Sequence, residues 1–200
     1  MNYELNKKIF PIPDSRFSRG GFTIIELLVS MSVFLIVTSI VVANFRQGSQ
    51  RDDLQQSALL ISSLLQQAQA YALAGRTTAS SVPAGGYGLY LDLANKNQAV
   101  FFPDFNSNGL YDSASETVTG WQYTLSGKVE LSSLSVANPT PQATSPVAFT
   151  FRPPQGARYI NNVINAGLLE VIVEHVQSLQ QYKITANAVS GQVNVSQISS

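Results

Sequence analysis

"SRGGFTIIELLVS", Ser18 to Ser30, places a carboxylate, Glu26, just inside an apolar run, and the reading of that one residue decides the rest. From Phe22 to Phe45 the chain reads "FTIIELLVSMSVFLIVTSIVVANF", apolar apart from Glu26 and a few Ser, Thr and Asn. A helix of that length, at about 1.5 Å per residue, covers about 36 Å and crosses a bilayer core of about 30 Å. An ionisable group within such a core is costly, about 2.5–3.5 kcal/mol on insertion scales for Asp, Lys or Arg at the centre. A position near the end of the span lowers the cost without removing it, so Glu26 calls for a purpose.

Charge sets the expected orientation. Before the run, Lys7, Lys8, Arg16 and Arg19 outweigh Glu4 and Asp14, which by the positive-inside rule keeps this side cytoplasmic. From Arg46 onward eight basic residues face nine acidic ones, a net charge of −1, with no electrostatic footprint for nucleic acid. The chain has no cysteine, so an exported part must hold together without disulfides. An ordinary secretory signal places its small residues after a run of 7–15 apolar residues. Here Gly20-Gly21 comes before the run, the run is longer, and Ala43-Asn44-Phe45 leads into a polar pattern. A plain signal-anchor helix accounts for length and orientation but not for Gly20-Gly21-Phe22 or Glu26.

"RGG" followed by "FTIIELLVS" resembles the class III signal of type IV prepilins and type II secretion pseudopilins. Four features coincide: a basic flank, a glycine before the junction, a hydrophobic residue after it, and Glu at a fixed distance. The resemblance implies that residues 1–21 are a leader, removed by a membrane aspartyl peptidase between Gly21 and Phe22, with N-methylation of Phe22. It also implies that Glu26 is the assembly residue, meeting the new amine of a neighbour's Phe22 when subunits stack. A buried charge is tolerable when paired and strongly unfavourable when left alone in an apolar bundle.

Residues 22–45 are then a transmembrane helix, 46–75 its amphipathic continuation, and 76–200 an exported β-rich domain. In the continuation Leu54, Ala58, Ile61, Leu65, Ala68 and Ala72 step by four and three, a narrow apolar stripe suited to packing on a domain, and Gly75 is a C-terminal stop. From Gly85 the period changes. Strands are expected over 87–93, 98–102, 121–125, 129–136, 147–151, 168–176, 182–189 and 192–197, with a Pro-rich loop over Asn138–Pro146. The fold class is α+β: a long N-terminal helix packed on an antiparallel sheet assembly, the arrangement of a pilin. "FFPDFNSNGLYD" and the late "AVSGQVNV" are similar to features of GspH/FimT-type minor pilins, while the extra material from Pro153 to Gly167 departs from that pattern.

A second chemical signal lies at "DFNSNGLYDSASE", Asp104 to Glu116. Asp104, Asn106, Asn108, Gly109 and Asp112 fall at the first, third, fifth, sixth and ninth positions of an EF-hand-like calcium loop. The twelfth position is Ser115, and Glu116 follows one residue late. Two readings stand side by side: a structural calcium at this loop, or a plain Asn-Gly turn with no ion. Otherwise no cofactor is expected. His175 is the single histidine, in strand-like "LLEVIVEHV", and there is neither a cysteine nucleophile nor a G-x-S-x-G nor a Gly-rich phosphate loop, so the chain is not read as an enzyme.

Three functions fit these observations. One is a structural subunit, a minor pilin or pseudopilin drawn from the bacterial inner membrane into a type IV pilus-like or type II secretion filament. Its partners would be prepilin peptidase and other pilin or pseudopilin subunits. The second is a pilus-tip module for DNA uptake or adhesion, against which the net charge argues for DNA. The third is a surface protein anchored in the membrane that never polymerises.

Overall fold

The computed structural model describes residues 21–78, 81–154, 156–164 and 166–198. The expected leader and its basic flank lie outside these residues, apart from Gly21. Two compact units divide between Asn44 and Phe45.

One helix, α1 (Ile24–Leu73, 50 residues), contributes to both. In the first unit its side chains from Phe22 onward are exposed. The stretch is long and apolar enough to cross a membrane. Its hydroxyls are satisfied within the helix: Ser30, Ser32, Thr38 and Ser39 each donate to the carbonyl four residues back, at 2.7–2.8 Å. This back-bonding lets hydroxyls sit in an apolar span without a partner outside it.

In the second unit, Phe45–Ser200, the six residues of the expected stripe are all buried, joined by Leu64, Ser57 and Ser62. The helix ends as Gly75 predicts. Gly75 has φ +57°, its N–H reaches Ala72 O, and Arg76 N–H reaches Tyr71 O. This pair of bonds is the Schellman ending, which needs a residue at positive φ.

Eleven strands follow among the described residues: β1 Gly86–Leu91, β2 Gln98–Asp104, β3 Gln122–Thr124, β4 Val129–Ala137, β5 Pro141–Ala143, β6 Val147–Arg152, β7 Ala157–Ile160, β8 Val163–Ile164, β9 Leu168–His175, β10 Gln181–Asn187 and β11 Val193–Ile198. They form two antiparallel sheets, in the orders β3-β2-β1-β6-β7-β8 and β11-β10-β9-β4-β5. The helix stripe shares one core with the inner faces of both. Tyr87, Leu89, Phe101, Phe149 and Phe151 come from the first sheet, and Leu131, Leu134, Val171, Val173 and Ile184 from the second. Tyr71 of α1 meets Tyr87 and Phe101 edge-on at 5.5 and 5.6 Å, a geometry that adds about 0.5–1.5 kcal/mol per pair beyond area burial.

The strand expectations hold in number and order with three additions. The loop Asn138–Pro146 contains β5, and the segment Pro153–Gly167 contains β7 and β8. The last two are short and joined by Asn161-Asn162, both at positive φ, a primed turn that alternation of hydrophobicity could not reveal. The expected first strand stops at Leu91, and the connection turns through a 3-10 segment, Leu93–Asn95, capped by Asp92.

The first sheet is covered on both faces. Every residue of β1 is buried except the half-buried Tyr90. On the face away from the main core, Phe102 and Thr150 are fully buried around Gly88, where a Cβ would stand 2.6 Å from Thr150 and 2.8 Å from the Phe102 ring. What helps cover that face is the loop that follows β2.

Candidate functional sites: the helix start and the Asp104 loop

Glu26 stands at the third position of α1, and its backbone N–H donates to Thr23 Oγ1 at 3.2 Å. Thr23-Ile24-Ile25-Glu26 is thus the T-x-x-E pattern of a helix start, with Thr23 as the cap. A reading of the sequence that took Glu26 only as an intramembrane charge missed this, although the spacing was there to be seen. The first turn also favours a carboxylate, by about 0.3–1 kcal/mol, through the positive end of the helix dipole. Gly21, Phe22 and Glu26 are all exposed, with Phe22 at 81 %. The structure therefore presents the junction and the carboxylate together at one helix end. Since the span's hydroxyls bond to their own helix, Glu26 is the ionisable group that the apolar stretch leaves to be matched from outside.

The Asp104 loop is built differently from its sequence pattern. Asp104 closes β2 and is fully buried. Its Oδ1 accepts Asn108 N–H at 3.2 Å and its Oδ2 accepts Gly109 N–H at 2.9 Å. Arg152 Nη2 lies 3.9 Å from the same Oδ2 and donates to Ser107 O at 2.8 Å. Gly85 packs so close to Asp104 that a Cβ there would lie 2.1 Å from its carboxyl carbon. Asn106 Oδ1 accepts Asn108 N–H, Asn108 Oδ1 accepts Leu110 N–H, and Asp112 Oδ1 accepts Ala114 N–H. All four residues singled out as calcium ligands thus hold backbone N–H groups of the loop.

Glu116 is the residue that sequence spacing undervalued. It is fully buried, and its Oε1 and Oε2 accept Phe105 and Asp112 N–H at 3.0 and 2.9 Å. One carboxylate ties the start of the loop to its middle. Between them, Tyr111 packs on Tyr90 and Phe102 at 4.9 and 5.3 Å, which lays the loop over the outer face of the first sheet. Among the described residues no three Asp, Glu, His or Cys side chains are grouped around one ion position. A cation here would draw on oxygens that already hold an N–H, through their second lone pairs.

Burial pushes the Glu116 carboxyl up from its ordinary value of 4.5, and the Asp104 charge adds to the rise, while N–H bonds from the loop backbone pull back. Between the ordinary and the raised value the folded state holds more protons than the unfolded one, so this group's contribution to stability falls as pH rises through that window. Glu116→Gln removes the titration. As pH rises from the ordinary glutamate value of 4.5, thermal melts should show the wild type losing stability relative to Glu116→Gln. Parallel curves would mean that Glu116 does not titrate there.

His175 is fully buried at the end of β9, with Nδ1 accepting Gln177 and Ser178 N–H at 3.3 and 3.2 Å. It caps the turn into β10. Glu170 and Glu174 lie on the outer face of the second sheet, half-buried, where Lys183 Nζ meets Glu170 at 3.5 Å.

Residues 16–42 match the family described as the prokaryotic N-terminal methylation motif. The match takes in the Gly21-Phe22 junction, Glu26 and most of the apolar stretch, and ends before the second unit. The motif and the apolar helix fit a single-pass, membrane-anchored, type IV pilin-like precursor of the kind processed by prepilin peptidase. No curated protein and no solved structure matches the chain.

Proposed function

We propose that the chain is a structural subunit, a minor pilin or pseudopilin, built into a type IV pilus-like or type II secretion filament through α1. The observation that carries this reading is Glu26, an ionisable group at the exposed start of an apolar helix whose hydroxyls are internally bonded. Such a carboxylate is matched when a neighbouring copy supplies a cation, and cleavage before Phe22 creates one, the new amine. The N-terminal side stays cytoplasmic and the second unit is exported. The order of helix, sheets and late hairpin supports the GspH/FimT-type among the pilin-like subunits. In the second unit the Asp104 loop serves as a brace over the first sheet. Structural calcium at that loop is the competing reading and is decided by the stability measurement below.

Processing supplies the test. Mass spectrometry of the native protein should find a chain beginning at N-methyl-Phe22. An intact Met1, or a cut after Ala43, would sink the proposal. Gly21 suits the cleaved position because a residue without a side chain admits a protease to the backbone, and among the described residues nothing but its chain neighbours stands within 4 Å of where a Cβ would be.

A further inference from the structure

Among the described residues the strand at the end of the second sheet has a free edge, and its chemistry points to what fits there. In the order β11-β10-β9-β4-β5, β11 is paired on one side only. The other sheet edges are short: β3 and β5 have three residues each and β8 two. β11 has six, "VNVSQI", with no proline and no charge. Proteins usually protect an edge of this length with a charge, a proline, a bulge or a cover. Among the described residues β11 has none of these.

The register shows which backbone groups are free. Asn187 N–H donates to Gln192 O at 2.9 Å, so those two residues form a hydrogen-bonded pair. Alternation along the β10–β11 register then turns the backbone of Asn194, Ser196 and Ile198 inward, and that of Val193, Val195 and Gln197 outward. On the side-chain faces, Val193 and Val195 pack against the core yet stay only half-buried, because the sheet ends beside them.

We propose that β11 pairs antiparallel with β11 of a second copy, centred on Val195. In that register Val195 lies opposite Val195, Val193 opposite Gln197, and Asn194 opposite Ser196. The outward N–H and C=O groups all gain partners, no charges are set against each other, and the two half-buried valines gain cover on the core side. The result is one continuous sheet of ten strands. A two-fold contact of this kind closes on itself, so it is separate from the helix contact that would extend a filament, and either can fail without the other.

The chain's lack of cysteine gives a clean test. Asn194→Cys and Ser196→Cys are made as separate full-length proteins in detergent, then mixed and oxidised. Directly opposed residues of a non-hydrogen-bonded pair have Cα atoms about 4.5 Å apart, within disulfide reach, whereas diagonal neighbours lie about 7–8 Å apart. The mixture should give a cross-linked dimer that neither variant forms efficiently alone, and that a mixture of Asn194→Cys with the exposed turn variant Ser190→Cys does not form. Val195→Pro removes an outward N–H and leaves the β10 ladder intact, a substitution that edge strands accept. Added to both cysteine variants, it should abolish the cross-link while the melting temperature holds. Cross-linking no better than in the Ser190→Cys mixture, or capture of a different protein in place of the second copy, would overturn the pairing.

Discussion

Glu26→Ala is expected to pass through membrane insertion and cleavage after Gly21 unharmed and then to be missing from sheared filaments. The substitution makes the span more apolar, which favours insertion. It also spares the helix start, because Thr23 caps the backbone N–H of residue 26 and not its side chain. The local loss is the dipole interaction, about 0.3–1 kcal/mol. In a filament the same change leaves the amine of a neighbouring Phe22 without its counter-charge. Removing one member of a buried pair costs about 3–5 kcal/mol, repeated at each such contact. Glu26→Asp keeps the charge with a shorter reach and should fall between. Fractionation of cells expressing each variant reads the result. Wild-type incorporation of Glu26→Ala would remove the carboxylate from the docking role and leave it only its place in the first helical turn.

The second large effect is expected at Asp104. Asp104→Ala leaves Gly109 N–H without its acceptor, leaves Asn108 N–H only Asn106 Oδ1, and takes the carboxylate away from Arg152. Hydrogen bonds to a charged group contribute about 1.5–3 kcal/mol each, so the pair is worth about 3 kcal/mol or more. For a domain of this size that lowers the melting temperature by about 10 °C. Asp104→Asn keeps an acceptor on one side only and should lose about half as much. Because the carboxylate bonds to the loop's own backbone, the loss should be the same with chelator and with calcium. If calcium instead holds the loop, chelation will lower the wild-type melting temperature toward that of Asp104→Ala, since an ion that binds only the folded state stabilises it by RT ln(1 + [L]/Kd).

The two carboxylate sites differ in how far the sequence alone could be followed. The apolar length from Phe22 to Phe45, the Gly-Phe junction and the spacing to Glu26 are local, and linear order fixes them. The helix stripe and its Gly75 ending were legible for the same reason, since a period of 3.6 and a residue able to take positive φ are written in consecutive positions. The longer strands announced themselves by alternation and by Ser-Gly or Pro-rich breaks.

The tertiary structure alone decided the rest. β7 and β8 are too short to show a period, and they exist because β6 offers β7 an edge, which in turn pairs with β8. At the Asp104 loop the sequence leaves a calcium site and a plain Asn-Gly turn side by side, because spacing lists oxygens without saying where they point. Folding turned those oxygens onto backbone N–H groups and buried Glu116, one place beyond the expected position, because it is Tyr111 on Phe102 and Tyr90 that sets where the chain must return. The free edge of β11 likewise appears only once the strand order is known, for an edge is a property of neighbours. What the sequence by itself determined is the helix, its membrane-length start and the Gly-Phe junction that the methylation motif takes in. Which carboxylates are buried, what they hold, and which strand keeps a free edge among the described residues were decided by contacts between residues far apart in the chain.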